Sequence, residues 1–366
     1  MRKILKVAQI RKKKIPRDVF TAFEDPIRAE KFSAASLERH GMSLAQAQEV
    51  YARPSSGVNL AARVAENENV LVEAYRLIVE SVHEKRPITP AAEWLIDNFY
   101  IIEEQLRDIR EHLPPKYYRE LPKLSTGHLV GHPRVYGVAW AYIAHNECLF
   151  DSELLKRFVK SYQKVRPLTI GELWAISITL RVVMIENLRR ISARIVGSQI
   201  ARKKADMIAD ALLGLKLGIE SQSDQKYVAS KSSKFIRPES TGSGRTIDEI
   251  LEDICKEHDF KKLFLQSGFA VQLIQRLRFQ ESKVASVLKW RDELLTANGL
   301  IADEIVAEEH SDQILANATV RNIITSMRLM SAFDWHTFFE EVSLVDEIFR
   351  TSSLYSEMDF ITRDRY

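Results

Sequence analysis

Apolar residues along this chain recur at intervals of three and four, not two, which marks amphipathic helix over strand. The stretch "LAARVAENENVLVEAYRLIVESVHEK" (60–85) opens the series. In "RPITPAAEWLIDNFYIIEEQLRDIREHL" (86–113), Leu95, Phe99, Ile102, Leu106 and Ile109 share one face. Thr89 is placed to cap this helix, and Pro90 takes the first helical position, where its missing N–H is harmless. The prolines of "LPPKYYRELPKL" (113–124) end it. A helix over "FDSELLKRFVKSYQKV" (150–165) would be capped by Asp151, with Phe150 packing against Leu155. In "RPLTIGELWAISITLRVVMIENLRRISARIV" (166–196), Thr169 and Glu172 form a capping box. That helix is apolar almost all round from Ile170 to Leu188, as expected at the centre of a bundle.

Two of these segments resemble each other. "RPITPAAEW" (86–94) and "RPLTIGELW" (166–174) share Arg-Pro-x-Thr and a later Trp, and both continue to E-x-L-R-x-I. "DFKKLF" (259–264) and "DWHTFF" (334–339) form a weaker pair. Repeated helix pairs suggest stacked units; shared capping grammar would give the same pattern. The expected fold is all-α, a helical bundle or short solenoid in two halves. A basic, partly irregular segment (1–59), containing the loop "RPSSGVN" (53–59), precedes a helical domain (60–217). The Ser-, Lys- and Gly-rich stretch 218–246 reads as a flexible linker, and a second helical domain fills 247–366.

Composition changes this picture little. The 366 residues carry a net charge of +3, too small to imply a nucleic-acid partner. The basic residues are locally concentrated: Arg2, Lys3, Lys6, Arg11, Lys12, Lys13, Lys14 and Arg17 all precede the first acid, Asp18. This is a solvated tail or, on a sharper reading, a segment drawn to anionic lipid. Two cysteines, Cys148 and Cys255, argue against a disulfide framework and fit a reducing compartment. No secretory signal pattern opens the chain. The most apolar run contains Arg181, so no membrane span is expected.

The most crowded candidate for chemistry is "HPRVYGVAWAYIAHN" (132–146). As a helix, it places Tyr136, Trp140 and Ile143 on one side and Arg134, Val138, Ala141 and His145 on the other. The plainer expectation is a buried helix whose Arg134 and His145 are satisfied by carboxylates or carbonyls. The alternative is a sugar-binding surface, with His132, Arg134 and His145 bonding hydroxyls beside Tyr136 and Trp140. His128 and His132 have a spacing usable for zinc, but Gly127, Gly131 and Pro133 put them in a loop with no third ligand nearby. "GSGRT" (242–246) lacks the lysine of a phosphate loop. No nucleophile elbow is present, and Cys148 reads as a buried thiol. "QRLRF" (275–279) approaches a Q-x-x-R-W glycosyltransferase signature, but no D-x-D accompanies it, so it reads as helix surface and core. Arg181 needs a buried partner, with Glu93, Glu103, Glu104, Glu172 and Glu186 as the candidates.

Longer stretches carry a family resemblance. "YRELPKLSTGHLVGHPRVYGVAWAYIAHNECLFDSELLKRFVKSYQKV" and its continuation to Val196 resemble the N-terminal region of bacterial cyclic β-1,2-glucan synthases. So do "GFAVQLIQRLR", "ANATVRNIITSMRLMSAFDWHTFFEEVSLVDEIFR" and "MDFITRDRY". The resemblance runs from about residue 60 to the end. It implies the cytosolic part of a large inner-membrane enzyme, ahead of the membrane segments and transferase core. UDP-glucose and a divalent metal are implied for such an enzyme but not for this segment, which lacks the transferase motifs. Its expected partners are the membrane and transferase domains. On this reading the chain is an accessory scaffold on the cytoplasmic face of the inner membrane, with no catalytic residues of its own. Glu172 and Arg181 join the residues above as interdomain contacts. Two alternatives stand beside it. One is a β-1,2-glucan-binding or primer-bearing module, with Tyr136, Trp140 and Tyr142 lining a groove. The other is an unrelated helical interaction module.

Overall fold

The structure, a computed structural model, describes residues 24–51, 57–212, 266–277 and 301–351, with isolated positions beside them. These residues form α1 (Ala34–Ala47), α2 (Leu60–His83), α3 (Pro90–Asp97), α4 (Phe99–His112), α5 (Pro115–Glu120) and α6 (Arg134–His145). They continue through α7 (Ser152–Gln163), α8 (Ile170–Leu212), α9 (Ser267–Leu277), α10 (Ala302–Ala332), α11 (Trp335–Val342) and α12 (Leu344–Phe349). Among the described residues the only extended pairings are the isolated bridges Val50–Leu124 and Lys123–Pro133. The fold is all-α.

Packing divides the chain into two compact units. The first takes Met1–Arg76, Pro90–Ala193 and Asn317–Tyr366; the second takes Leu77–Thr89 and Arg194–Ala316. This grouping interleaves separate stretches of chain, whereas the sequence boundaries at 60, 218 and 247 follow chain order. The predicted linker 218–246, with "GSGRT", lies outside the described residues.

In the first unit, the single helix expected over 90–112 is two. Asn98 sits at φ −112°, ψ 16°. Its Nδ2 donates to the Trp94 carbonyl at 2.8 Å. A short polar side chain that hydrogen-bonds its own backbone competes with the helix ladder. The apolar face survives the break: Leu95, Phe99, Ile102, Leu106 and Ile109 are all buried. At the C-terminus of α5, the buried Lys123 ammonium donates to the carbonyls of Tyr118, Arg119 and Leu121. Carbonyls that the ended helix leaves without donors are satisfied this way.

Asp151 caps α7 by accepting from the Leu154 N–H at 3.0 Å, as expected. Phe150 packs against Phe333 and Trp335. Helix α1 lies close to α7 at Gly41, where a Cβ would come within 3.1 Å of the Phe158 carbonyl oxygen. Ser161 Oγ ties the pair by donating to the Glu38 carbonyl at 2.9 Å. Gln163 Nε2 donates to the Val342 carbonyl at 2.7 Å and so holds the end of α11. Residues 172–193 of α8 are buried on nearly every side, as the all-round apolar pattern requires, while Ile170 at its start is exposed.

In the second unit, the buried Glu309 accepts from Ser198, Ser267, Arg202 and Gln313. Burial pushes its carboxyl up, but these hydrogen bonds outweigh it and hold the group below the ordinary carboxylate range. On α9, Arg276 pairs with Asp206 and Asp210. Gln275 is exposed beside it and Leu277 is buried, so this part of "QRLRF" is helix surface and core; Phe279 lies outside the described residues.

Candidate functional site

Helix α6 begins directly after Pro133. The loop before it turns at Gly127 (φ 83°) and Gly131 (φ 80°), a left-handed region that glycine enters without a Cβ penalty. This places His128 and His132 in a loop, as their flanking residues predicted. All of α6 except Trp140 and His145 is buried. The helix needs a glycine at 137. A Cβ there would lie 2.6 Å from Gln48 Nε2 and 3.1 Å from Leu124 Cδ1, and Gln48 is held by the Tyr162 hydroxyl at 2.7 Å. Gly137→Ala should therefore cost about 1–3 kcal/mol through overpacking; an unchanged urea midpoint would contradict this packing.

Arg134 opens α6 and meets Glu172 in a two-pronged pair. Its Nε donates to one carboxylate oxygen at 2.8 Å and its terminal nitrogen to the other. The same nitrogen reaches the Pro167 carbonyl at 3.0 Å. Glu172 also closes the predicted capping box: its carboxylate accepts from the Thr169 N–H at 2.9 Å, and Thr169 Oγ1 accepts from the Glu172 N–H at 3.2 Å. One buried carboxylate thus starts α8 and anchors α6. Burial opposes the Arg134 charge, but the Glu172 pair outweighs it and raises its pKa.

His132 stacks on Tyr136, with centroids 4.9 Å apart, and Tyr136 leans on Trp140 at 6.0 Å. Burial lowers the His132 pKa and raises that of Tyr136. Tyr142 is wholly buried; its hydroxyl donates to the Asp151 carbonyl at 2.9 Å and accepts from Asn146 at 3.1 Å. Trp140 is half-buried. The Arg190 guanidinium lies 5.1 Å from its centroid and His128 stands edge-on at 6.0 Å. Tyr136 and Tyr142 therefore line no groove. His145, at the other end of α6, stacks on Phe32 at 3.9 Å, and its Nδ1 lies 2.7 Å from the Glu30 carbonyl oxygen.

Arg181 joins neither group. Its hydrogen bonds go elsewhere than to the five glutamates anticipated for it, of which Glu104 contributes only a charge from further off. Its Nε donates to Gln105 Oε1 at 2.9 Å and its terminal nitrogens to Ser177 and to the Met330 carbonyl at 3.1 Å. The guanidinium lies over the Trp335 ring, 5.8 Å from its centroid, and the nearest carboxylate is Asp108 at 4.0 Å. A glutamine and carbonyls can satisfy five N–H donors without a buried countercharge. Burial lowers the Arg181 pKa.

A cluster around Glu186 was not assembled by the sequence reading. Glu186, almost wholly buried, accepts from Arg63, Asn67, Arg189 and Arg190. Burial alone would raise its pKa, but Arg63 and Arg189 hold the carboxyl far below the ordinary range. Glu24 caps the same guanidiniums from outside. It belongs to an extended strap, residues 24–33, pinned by Asn187 to both polar groups of Ile27 and by backbone bonds from Ala29 to Ala144 and from Phe32 to His145. The spacing of Glu186, Arg189 and Arg190 on one helix hinted at a paired cluster. Nothing local indicated Glu24 or Arg63.

Cys148 is buried beside Asn187 and its thiol is pushed up to about 12, so the native protein should resist alkylation there until it unfolds; rapid labelling of Cys148 by iodoacetamide under native conditions would contradict this. Among the described residues, no three His, Cys, Asp or Glu side chains converge as a metal-ligand set. Among the same residues, no helix is long and apolar enough to cross a membrane.

Fold and site together define a helical module whose interior is tied by buried ion pairs and side-chain-to-backbone bonds. Over 344 residues, 94% of its length, the chain is 33% identical to the cyclic β-(1,2)-glucan synthase NdvB of Rhizobium meliloti (strain 1021). It spans only 11% of that protein. No protein-family model matches the chain. The resemblance read from the long motifs therefore holds across almost the whole chain.

Proposed function

We propose that this chain is an accessory scaffold for cyclic β-1,2-glucan synthesis, seated on the cytoplasmic face of the inner membrane. It would organise a UDP-glucose-dependent transferase without catalysing transfer itself. The observation that carries this reading is the 33% identity over 94% of the chain to a segment of a glucan synthase. The aromatic residues favour a scaffold over a sugar groove: Tyr136 and Tyr142 are buried in α6, and Arg190 lies over the half-buried Trp140. Its partners on this reading are the membrane and transferase parts of the synthase. β-1,2-Glucan and anionic lipid at the basic N-terminal residues are secondary candidates.

Two measurements test the reading. The purified chain, given labelled UDP-glucose, should transfer no glucose to itself or to soluble glucan; incorporation would overturn the accessory role. Deleting the matching segment from the Rhizobium meliloti synthase should abolish or sharply reduce its glucan output. Output unchanged by that deletion would overturn the link to synthesis.

A further inference from the structure

The arginine cluster beneath Glu24 has an unequal pair of carboxylates. Glu186 is built in, buried on α8 and bonded by four side chains. Glu24 is 43% exposed and arrives on the irregular strap. Arg63 donates to both of its oxygens at 3.0 Å, Arg189 reaches one at 2.7 Å, and Arg190 lies 3.0 Å from the same one. Glu66 lies 3.7 Å from Arg63 on its outer side, so three guanidiniums meet three carboxylates and the cluster carries one excess positive charge only when Glu24 is released. Arg189 is 94% buried by its 6% relative exposure, and its Nε has no acceptor. One buried N–H of the seat is therefore left for a further oxygen acceptor.

We propose that the Arg63–Arg189–Arg190 seat is a binding site for a phosphate ester, with Glu24 as an exchangeable internal stand-in. A phosphate offers three terminal oxygens to three guanidiniums and up to twice the charge of a carboxylate; arginine's planar fork suits it better than a lysine point charge would. Arg190 also contacts Trp140, which places a half-buried indole beside the seat. Release of Glu24 removes one anchor of the strap, so occupancy loosens residues 24–33. The inference does not depend on a role in glucan synthesis.

The experiment compares the full chain with its Glu24→Gln variant, titrated calorimetrically with inorganic phosphate and with vesicles of phosphatidic acid in phosphatidylcholine. The variant should bind phosphate at least roughly tenfold more tightly than the parent. Trp140 emission should change on binding, measured against a Trp140→Phe background. Adding Arg190→Gln should remove the gain. The basic residues before Asp18 are common to all these proteins, so only the difference between them is read. A difference with soluble phosphate assigns a free ester as ligand; a difference with phosphatidic acid vesicles alone assigns a lipid headgroup. Equal affinities in parent and variant for both probes would overturn the proposal. Amide exchange on the unmutated chain gives a second check. Saturating phosphate should speed exchange at Ile27 and Ala29, and unchanged protection would overturn the proposal equally.

Discussion

Glu186→Ala should cost the first unit about 3–5 kcal/mol, because it leaves several guanidiniums facing a buried gap. Arg63 and Arg189 would lose their inner countercharge, and Asn67 would lose the oxygen that receives its Nδ2 at 2.8 Å. Urea unfolding at neutral pH measures this; a loss below about 1 kcal/mol would show that the arginines find other partners. Glu186→Gln isolates the charge. The folded-state pKa of Glu186 lies below its unfolded value. Its contribution is therefore complete above the unfolded value, near 4.3, and is lost as pH falls further toward the folded one. The stability difference between parent and Gln variant should shrink through that acidic window and stay constant above it. A difference that grows on acidification would refute the assignment.

Glu172→Ala should be nearly as damaging, for two reasons that add. It strands the buried Arg134, at about 3–5 kcal/mol, and it removes half of the box that starts α8, at about 1 kcal/mol. The instructive comparison is Arg134→Met with Glu172→Gln. Glutamine keeps the capping role, and methionine removes the buried cation. The double variant should lose much less than the two single losses combined. Strict additivity in that cycle would mean that Arg134 and Glu172 do not depend on each other.

Sequence pattern foretold the parts of this molecule that are local. The helix periods, the Asp151 cap, the Thr169–Glu172 box and the loop holding His128 and His132 all depend on residues within a few positions of each other. Burial of α6 was also legible, because both of its faces carry large apolar or aromatic side chains. The break at Asn98 was not, since the apolar face runs straight through it and only the side-chain bond to Trp94 marks the interruption. Arg181 misled because a buried cation suggests a carboxylate, and the fold supplies Gln105 and a carbonyl from α10 instead. Arg63 meets Glu186 across 123 positions and Glu24 meets Arg189 across 165; no spacing rule reaches that far. The aromatic group of Phe150, Phe333 and Trp335 escaped for the same reason.

The corner between α6 and α7 sets a timetable for synthesis. Glu147 and Cys148 both adopt left-handed backbone, at φ 51° and 60°, a conformation that costs a non-glycine residue of order 1 kcal/mol or more. Two of the bonds that hold them come from α10. Asn322 donates to the Glu147 carbonyl, and Ser326 donates to the Cys148 carbonyl while accepting from the Phe150 N–H. Those partners leave the ribosome some 175 to 178 residues after the corner does. At about 5–20 residues per second, the corner waits on the order of ten to thirty-five seconds for its clamps. Until then the corner relies on its local bonds, Tyr142 to Asp151 and Asn146 to Leu149, so a nascent chain stalled before residue 322 should hold α6 and α7 joined by a looser corner than the finished protein has.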